Sequence, residues 1–229
     1  MKKYQIIYAD PPWSYRTWAR GAGNGNVLNH YETMTAKEIQ GMNIGDLCDD
    51  ACVLLMWVTF PTLLGGVELI RKWGFTYKTN AFTWIKRNKK ADSLFWGLGY
   101  YTRANAEVCL LATRGKVLPR ISHKVHSVIE SRIEGHSKKP EEARKRIVEL
   151  FGDVPRIELF ARQKTEGWDV WGNEVECDID LLGANDKFKN KPKELEEWEK
   201  GQEQREKIDP DHSLNYAERA AKAGLGDSL

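Results

Sequence analysis

Asp10-Pro11-Pro12-Trp13 carries the residue types best suited to chemistry in this 229-residue chain. Pro11 and Pro12 fix φ and lack N–H donors. Each also pushes the residue before it toward an extended conformation. The turn is therefore stiff, and it presents a carboxylate and backbone carbonyls with no donors from either proline. Trp13 adds a flat apolar face. This set suits activation of an aromatic amine such as the 6-amino group of adenine. That nitrogen is a poor nucleophile because its lone pair is delocalised into the ring. Two acceptors that take its two N–H protons favour a pyramidal nitrogen and expose the lone pair for in-line attack on a methyl sulfonium. Stacking a base on an aromatic ring is worth about 1–3 kcal/mol, comparable to the few kcal/mol needed to extrude a base from a duplex. Tyr15 or Tyr31 would supply a second aromatic surface. The same four residues also read as a rigid turn with a capping Asp and a core Trp.

Other residues supply charge. Lys139 directly precedes Pro140 at a predicted helix start, where backbone N–H groups also favour an anion; the alternative is a solvated lysine in a basic run. Glu158 lies in an apolar strand, where a carboxylate needs a partner. That partner is either a ligand hydroxyl or one of Arg156 and Arg162. Residues 115–139 carry Lys116, Arg120, Lys124, Arg132, Lys138 and Lys139, with His123, His126 and His136 among them. Lys86, Arg87, Lys89 and Lys90 form a second cluster near Trp84, Phe95, Trp96, Tyr100 and Tyr101. Arg16 and Arg20 flank Trp18. Basic groups interleaved with aromatics suit phosphate contacts plus base stacking; a solvated surface over core aromatics is the plainer reading. Gly21, Gly23 and Gly25 make that first loop suited to a lid. The histidines lack spaced carboxylates or thiols, and Cys48, Cys52, Cys109 and Cys177 lack zinc spacing, so no metal is expected and the thiols are expected reduced.

The elements that must position these groups alternate. Residues 5–9 (QIIYA), 53–59 (VLLMWVT), 81–85 (AFTWI), 107–112 (EVCLLA) and 156–161 (RIELFA) read as strands buried on both faces. Residues 61–73 and 140–151 read as amphipathic helices, each opened by a proline and stopped by a glycine. This predicts an α/β sheet with helices on both faces. The catalytic turn then follows the first strand, at the carboxyl edge where open sheets bind ligands. Residues 14–33, 86–105 and 115–139 read as long loops.

Bulk composition bounds the rest. The net charge of +2 (35 Lys+Arg, 33 Asp+Glu) excludes a polybasic coating protein and an acidic disordered chain. It splits into a basic domain, residues 1–175, with 26 Lys+Arg against 19 Asp+Glu, and an acidic tail, residues 176–229, with 9 against 14. The tail is expected to be helical or disordered. No apolar stretch approaches the roughly 18–20 residues of a membrane span, and the N-terminus lacks a cleavage site. A cytoplasmic chain, monomeric or homodimeric, is expected.

Several ordered segments share a pattern: IIYADPPW, then HYETMT, then VLLMWVT, then Arg103 and Glu107 in TRANAEVCLLATRG. HSKKPEEARKRI and RIELFARQKTEGWDVWGNE follow. Over about residues 4–175 the chain resembles the adenine N(6)-methyltransferases of the "MT-A seventy" family. The resemblance implies a Rossmann-like three-layer α/β sandwich, with a permuted S-adenosylmethionine-dependent methyltransferase sheet in which the catalytic loop precedes the cofactor strand. It implies that Asp10, Pro11, Pro12 and Trp13 are catalytic, with Asp10 meeting the cofactor's ammonium, the target amine, or both. Lys139 would meet the cofactor carboxylate, Glu158 and Arg162 the ribose, and Asn173 and Glu174 the ribose–adenine pocket. Tyr15, Arg16, Tyr31, Tyr100 and Arg103 are the substrate-side residues. The expected reaction is methyl transfer from S-adenosylmethionine to adenine in DNA, without a covalent enzyme intermediate. RNA as substrate, or a catalytically silent nucleic-acid-binding subunit, are the alternatives.

Overall fold

The computed structural model describes residues 2–12, 34, 36–99, 101–135 and 138–181. Trp13, Tyr15, Arg16, Tyr31, Tyr100, the glycine-rich loop, His136 and residues 182–229 of the tail lie outside the described residues. Within them, seven strands form one sheet: β1 (Tyr4–Ala9), β2 (Cys48–Val58), β3 (Thr76–Arg87), β4 (Glu107–Gly115), β5 (Val128–Arg132), β6 (Arg156–Leu159) and β7 (Asp169–Trp171). Their order is β5-β3-β4-β2-β1-β6-β7. β1 pairs in parallel with β2 and β6, β6 with β7, and β3 with β5. β4 is antiparallel to both of its neighbours, β2 and β3, so the sheet is mixed.

Alternation along each strand builds two cores. In β2, Leu54, Met56 and Val58 face one core, while Val53, Leu55 and Trp57 face the other. Burial on both faces is why this strand reads as an unbroken apolar run. Helices α1 (Ala36–Gln40) and α2 (Leu63–Lys72) cover the first face through Ile39, Leu69 and Ile70. Helix α3 (Glu141–Phe151) covers the second through Ala143, Ile147 and Phe151. Full burial of such a side chain stabilises by about 1.5–3 kcal/mol.

The helix punctuation holds. A 3-10 turn at Phe60–Thr62 contains Pro61 and leads into α2. Gly74 ends it at φ 81° and Gly152 ends α3 at φ 85°, values a side chain would strain. Pro140 caps α3, and Glu141 and Glu142 occupy its first turn, complementing the helix dipole.

Sequence patterning misses three elements. β5 (VIESR) buries only Ile129, so no alternation marks this edge strand. β7 has three residues, too few for a period. α1 has five, with Ile39 its buried apolar anchor. β3 also starts earlier than predicted, because Thr76–Arg87 opens with exposed residues recruited by pairing with β4.

Candidate active site

Six strands point the same way, so their carboxyl ends share one edge. β4 runs oppositely, so its first residue, Glu107, sits at that edge, paired with Trp84 near the end of β3. Asp10 follows β1 directly. Lys139 arrives from the segment that enters α3. The three meet. Lys139 Nζ lies 2.7 Å from Asp10 Oδ2 and 3.3 Å from Glu107 Oε2. Lys86 Nζ, from β3, lies 2.5 Å from Glu107 Oε1. The result is a row of alternating charges, Asp10, Lys139, Glu107, Lys86. Buried charges persist only when so paired. The Lys139 and Glu107 side chains are 6% and 11% exposed, whereas Asp10 is 27% exposed. Asp10 is thus the end of the row best placed to meet a ligand.

An aromatic floor supports the row. Lys139 Nζ lies 5.9 Å from the Trp57 ring centroid, within cation–π range. Trp57 Nε1 donates to the Tyr8 hydroxyl at 2.6 Å, and the Trp57 and Trp84 rings meet edge-on at 6.5 Å. Lys86 Nζ lies 5.0 Å from the Trp84 ring.

The charges tune one another. Burial pushes the Asp10 carboxyl above its ordinary range; Lys139 pulls against this and Glu107 adds to it. Burial also works to raise Glu107, but Lys139 and Lys86 outweigh it and hold that carboxyl below its ordinary range. Burial opposes the charge on Lys139, yet Asp10 and Glu107 hold its ammonium above the usual lysine value.

The ends of β6 and β7 adjoin this edge. Arg162 Nε lies 3.7 Å from Glu174 Oε1, both partly exposed, and Arg162 is near enough to Asp10 to lower its pKa. Ala161 N–H donates to the Trp171 carbonyl at 3.0 Å. A Cβ on Gly172 would stand 2.1 Å from the Ala161 carbonyl oxygen, so glycine is required there. Asn173 and Glu174, both half-buried, follow this close crossing.

Several expected residues have partners of their own. Glu158 is buried, and both its oxygens accept from Arg144 of α3, at 2.7 Å each. Its ion-pair partner is therefore Arg144, rather than Arg156 or Arg162. Arg156 instead meets Asp153 at 2.7 Å. Lys86, expected among phosphate-binding cations, is committed to Glu107, and Arg87 is committed to Glu130 and Asp92. Trp168 is a core residue packed on Tyr8 at 5.8 Å. Arg103 is exposed, on a loop beyond the row of charges.

Sequence reasoning gave no role to Glu107 or Arg144. Each left a signal: an acid opening an apolar strand run, and an arginine on the same helical stripe as Ile147 and Phe151.

The profile of the MT-A70 family matches residues 4–174. The chain belongs to the MT-A70 family. Among curated relatives, the Type II methyltransferase M.MunI of Mycoplasma sp is 34% identical over 190 residues, covering 76% of this chain and 78% of its own. The human N(6)-adenosine-methyltransferase catalytic subunit METTL3 is 27% identical over 177 residues, covering 76% of this chain and 28% of its own. The human N(6)-adenine-specific methyltransferase METTL4 is 26% identical over 196 residues, covering 76% and 38%. This chain thus spans well under half the length of those two human relatives. As an MT-A70 member it is an S-adenosylmethionine-dependent, adenine-specific methyltransferase that acts on nucleic acid. No helix among the described residues is long and apolar enough to cross a membrane.

The edge fits the cofactor that family membership implies. Lys139 is the buried cation of this edge and would be the group that meets a cofactor carboxylate. Asp10 offers an acceptor to an ammonium, and Asn173 and Glu174 offer amide and carboxylate groups to hydroxyls.

Proposed function

We propose that this MT-A70 domain methylates the 6-amino group of an adenine held at the Asp10 end of the charge row. The sheet is read as the permuted Rossmann-like methyltransferase sheet, with the catalytic turn on β1 and the cofactor edge on β6 and β7. The partly exposed Asp10 carboxylate, fixed by buried Lys139 at the carboxyl edge, carries this reading. S-adenosylmethionine supplies an electrophilic methyl sulfonium when bound. Asp10 and a carbonyl of the prolyl turn accept hydrogen bonds from the two amine N–H groups and expose the nitrogen lone pair for direct in-line transfer. The proton released once the nitrogen is methylated passes to Asp10 or to solvent. The Pro12 carbonyl already accepts the Met34 N–H at 3.3 Å, so the Pro11 carbonyl is assigned as the second acceptor. Lys139 holds Asp10 in place and is assigned to the cofactor carboxylate. Arg162, Asn173 and Glu174 line the ribose side, while Glu158 anchors α3 through Arg144. Trp13, Tyr15, Arg16, Tyr31, Tyr100 and Arg103 are assigned to the nucleic-acid side, a reading that rests on sequence for all but Arg103.

The polymer is the finer question. Several relatives are named for adenosine, a ribonucleoside, which favours RNA more directly than M.MunI's printed name favours DNA. The RNA reading therefore stands beside the DNA one. Incubation with labelled cofactor and matched DNA and RNA oligonucleotides, single-stranded and duplex, tests both. Nucleoside digestion should yield 6-methyladenine from one polymer and none with Asp10→Ala. Label in 4-methylcytosine, or equal transfer by Asp10→Ala, would overturn the assignment.

A further inference from the structure

Residues 86–105 read in sequence as a long loop with a basic, aromatic cluster; the described residues between β3 and β4 form a braced arm. Gly97 and Ala104 exchange backbone hydrogen bonds at 2.7 and 3.2 Å. Asn105 clamps the base of the arm. Its Oδ1 accepts the Lys86 N–H at 2.9 Å, and its Nδ2 donates to the carbonyls of Lys86 and Phe95. Arg132 Nη1 donates to the Lys89 and Ala91 carbonyls at 3.2 and 3.3 Å. Near the tip, a Cβ on Gly99 would stand 1.9 Å from the Thr102 carbonyl oxygen, so the turn closes only on glycine.

This braced element displays apolar side chains outward. Leu98 is 89% exposed, Tyr101 fully exposed and Trp96 about half exposed. An arm so well fixed yet so unburied is built for contact rather than for the core. Its charges indicate with what. Lys89, Lys90 and Arg103 lie on it, against one acid, Asp92, which is already engaged by Arg87 and Arg132. Cations beside exposed aromatic and aliphatic groups complement a polyanion that also offers flat faces. The arm springs from Lys86, whose ammonium contacts Glu107, so it stands beside the charge row.

We infer that the arm is a nucleic-acid stacking element. Tyr101 and Leu98 pack on bases next to the target adenine, while Lys89, Lys90 and Arg103 meet the adjoining phosphates. This deepens the proposed function, on which it rests for the identity of the ligand.

The test is fluorescence anisotropy of a labelled, adenine-containing oligonucleotide, in single-stranded and duplex forms, titrated with the full chain across a salt series. Tyr101→Ala should weaken binding about tenfold and leave the slope of log Kd against log salt unchanged, while Tyr101→Phe retains affinity. Leu98→Ala should weaken binding severalfold. The double variant Lys89→Ala/Lys90→Ala should reduce the slope by about 1–2. Full exposure of Tyr101 means its loss leaves the thermal midpoint unmoved, which calorimetry verifies. Tyr101→Ala and Leu98→Ala binding within twofold of the parent would overturn the inference. So would a parental dimer that Tyr101→Ala dissociates at unchanged affinity, marking the arm as a contact between copies. Methyl transfer scored in parallel separates the two readings: transfer with arm variants that bind normally defeats the arm alone. Arm-dependent binding without transfer defeats the enzymatic assignment alone.

Discussion

At the scale of single residues, Asp10 and Glu107 are two carboxylates that share one lysine yet shift in opposite directions, because burial dominates at Asp10 while Lys139 and Lys86 together outweigh it at Glu107. In the proposed function Asp10 must be ionised to accept a hydrogen bond from an amine. Burial and Glu107 both raise it, so the acid limb of the rate–pH profile should lie above the ordinary aspartate value of about 4. Glu107→Gln removes a raising charge, and single-turnover rates should show the limb moving to lower pH. A limb that stays put would remove Glu107 from the tuning of Asp10. Glu107 itself is depressed in the fold. Its contribution to stability is therefore present above its ordinary value and lost as pH falls through the folded value. Acid unfolding of Glu107→Gln, followed by circular dichroism, should lack that component. Lys139→Met removes the cation between Asp10 and Glu107, leaving Glu107 with Lys86 alone, and should cost about 3–5 kcal/mol in denaturant titration. Asp10 was legible in sequence because two prolines and a preceding strand mark it. Glu107 was not assigned a role, because its importance depends on β4 being antiparallel, and no residue type announces strand direction.

At the scale of elements, the close crossing of β6 and β7 and the pairing of β6 with α3 hold the proposed cofactor side. Gly172→Ala places a methyl against the Ala161 backbone, which cannot rotate away. It should destabilise by about 1–3 kcal/mol and weaken cofactor binding measured by calorimetry. Arg144→Met strands the buried Glu158 carboxylate and should cost about 3–5 kcal/mol, whereas the double change Arg144→Met/Glu158→Met should recover most of that loss. Equal losses in the single and double variants would show that packing, not charge, dominates there. The major strands and both longer helices were legible, because the strands are near-continuous apolar runs buried on both faces, while the helices carry apolar residues at helical spacing and end at Gly74 and Gly152. β5, β7 and α1 were not, because tertiary pairing rather than local pattern holds them.

At the scale of the whole molecule, the packed core runs past Glu176. Leu181 is buried, Cys177 and Ile179 pack on the same core, and Asp178 accepts from Lys164 and from the Val170 N–H. A chain ending at Val175 should melt several degrees below one ending at Leu181 by calorimetry, in line with about 1.5–3 kcal/mol for Leu181 alone. The acidity of the C-terminal region is correspondingly shared with the fold: residues 182–229 hold 11 Asp+Glu against 9 Lys+Arg. Deleting them should shift the salt slope of oligonucleotide binding by less than about one unit. The strand order has a temporal consequence as well. Synthesis proceeds from the N-terminus, so β1 to β5 can assemble one side of the sheet while Asp10 and Glu107 still lack Lys139. The lysine arrives with the chain that crosses to β6, and the same crossing lays down the strands of the cofactor side. A nascent chain therefore holds its two carboxylates without their shared cation until the crossing is made, and the row of charges is completed only in that late step.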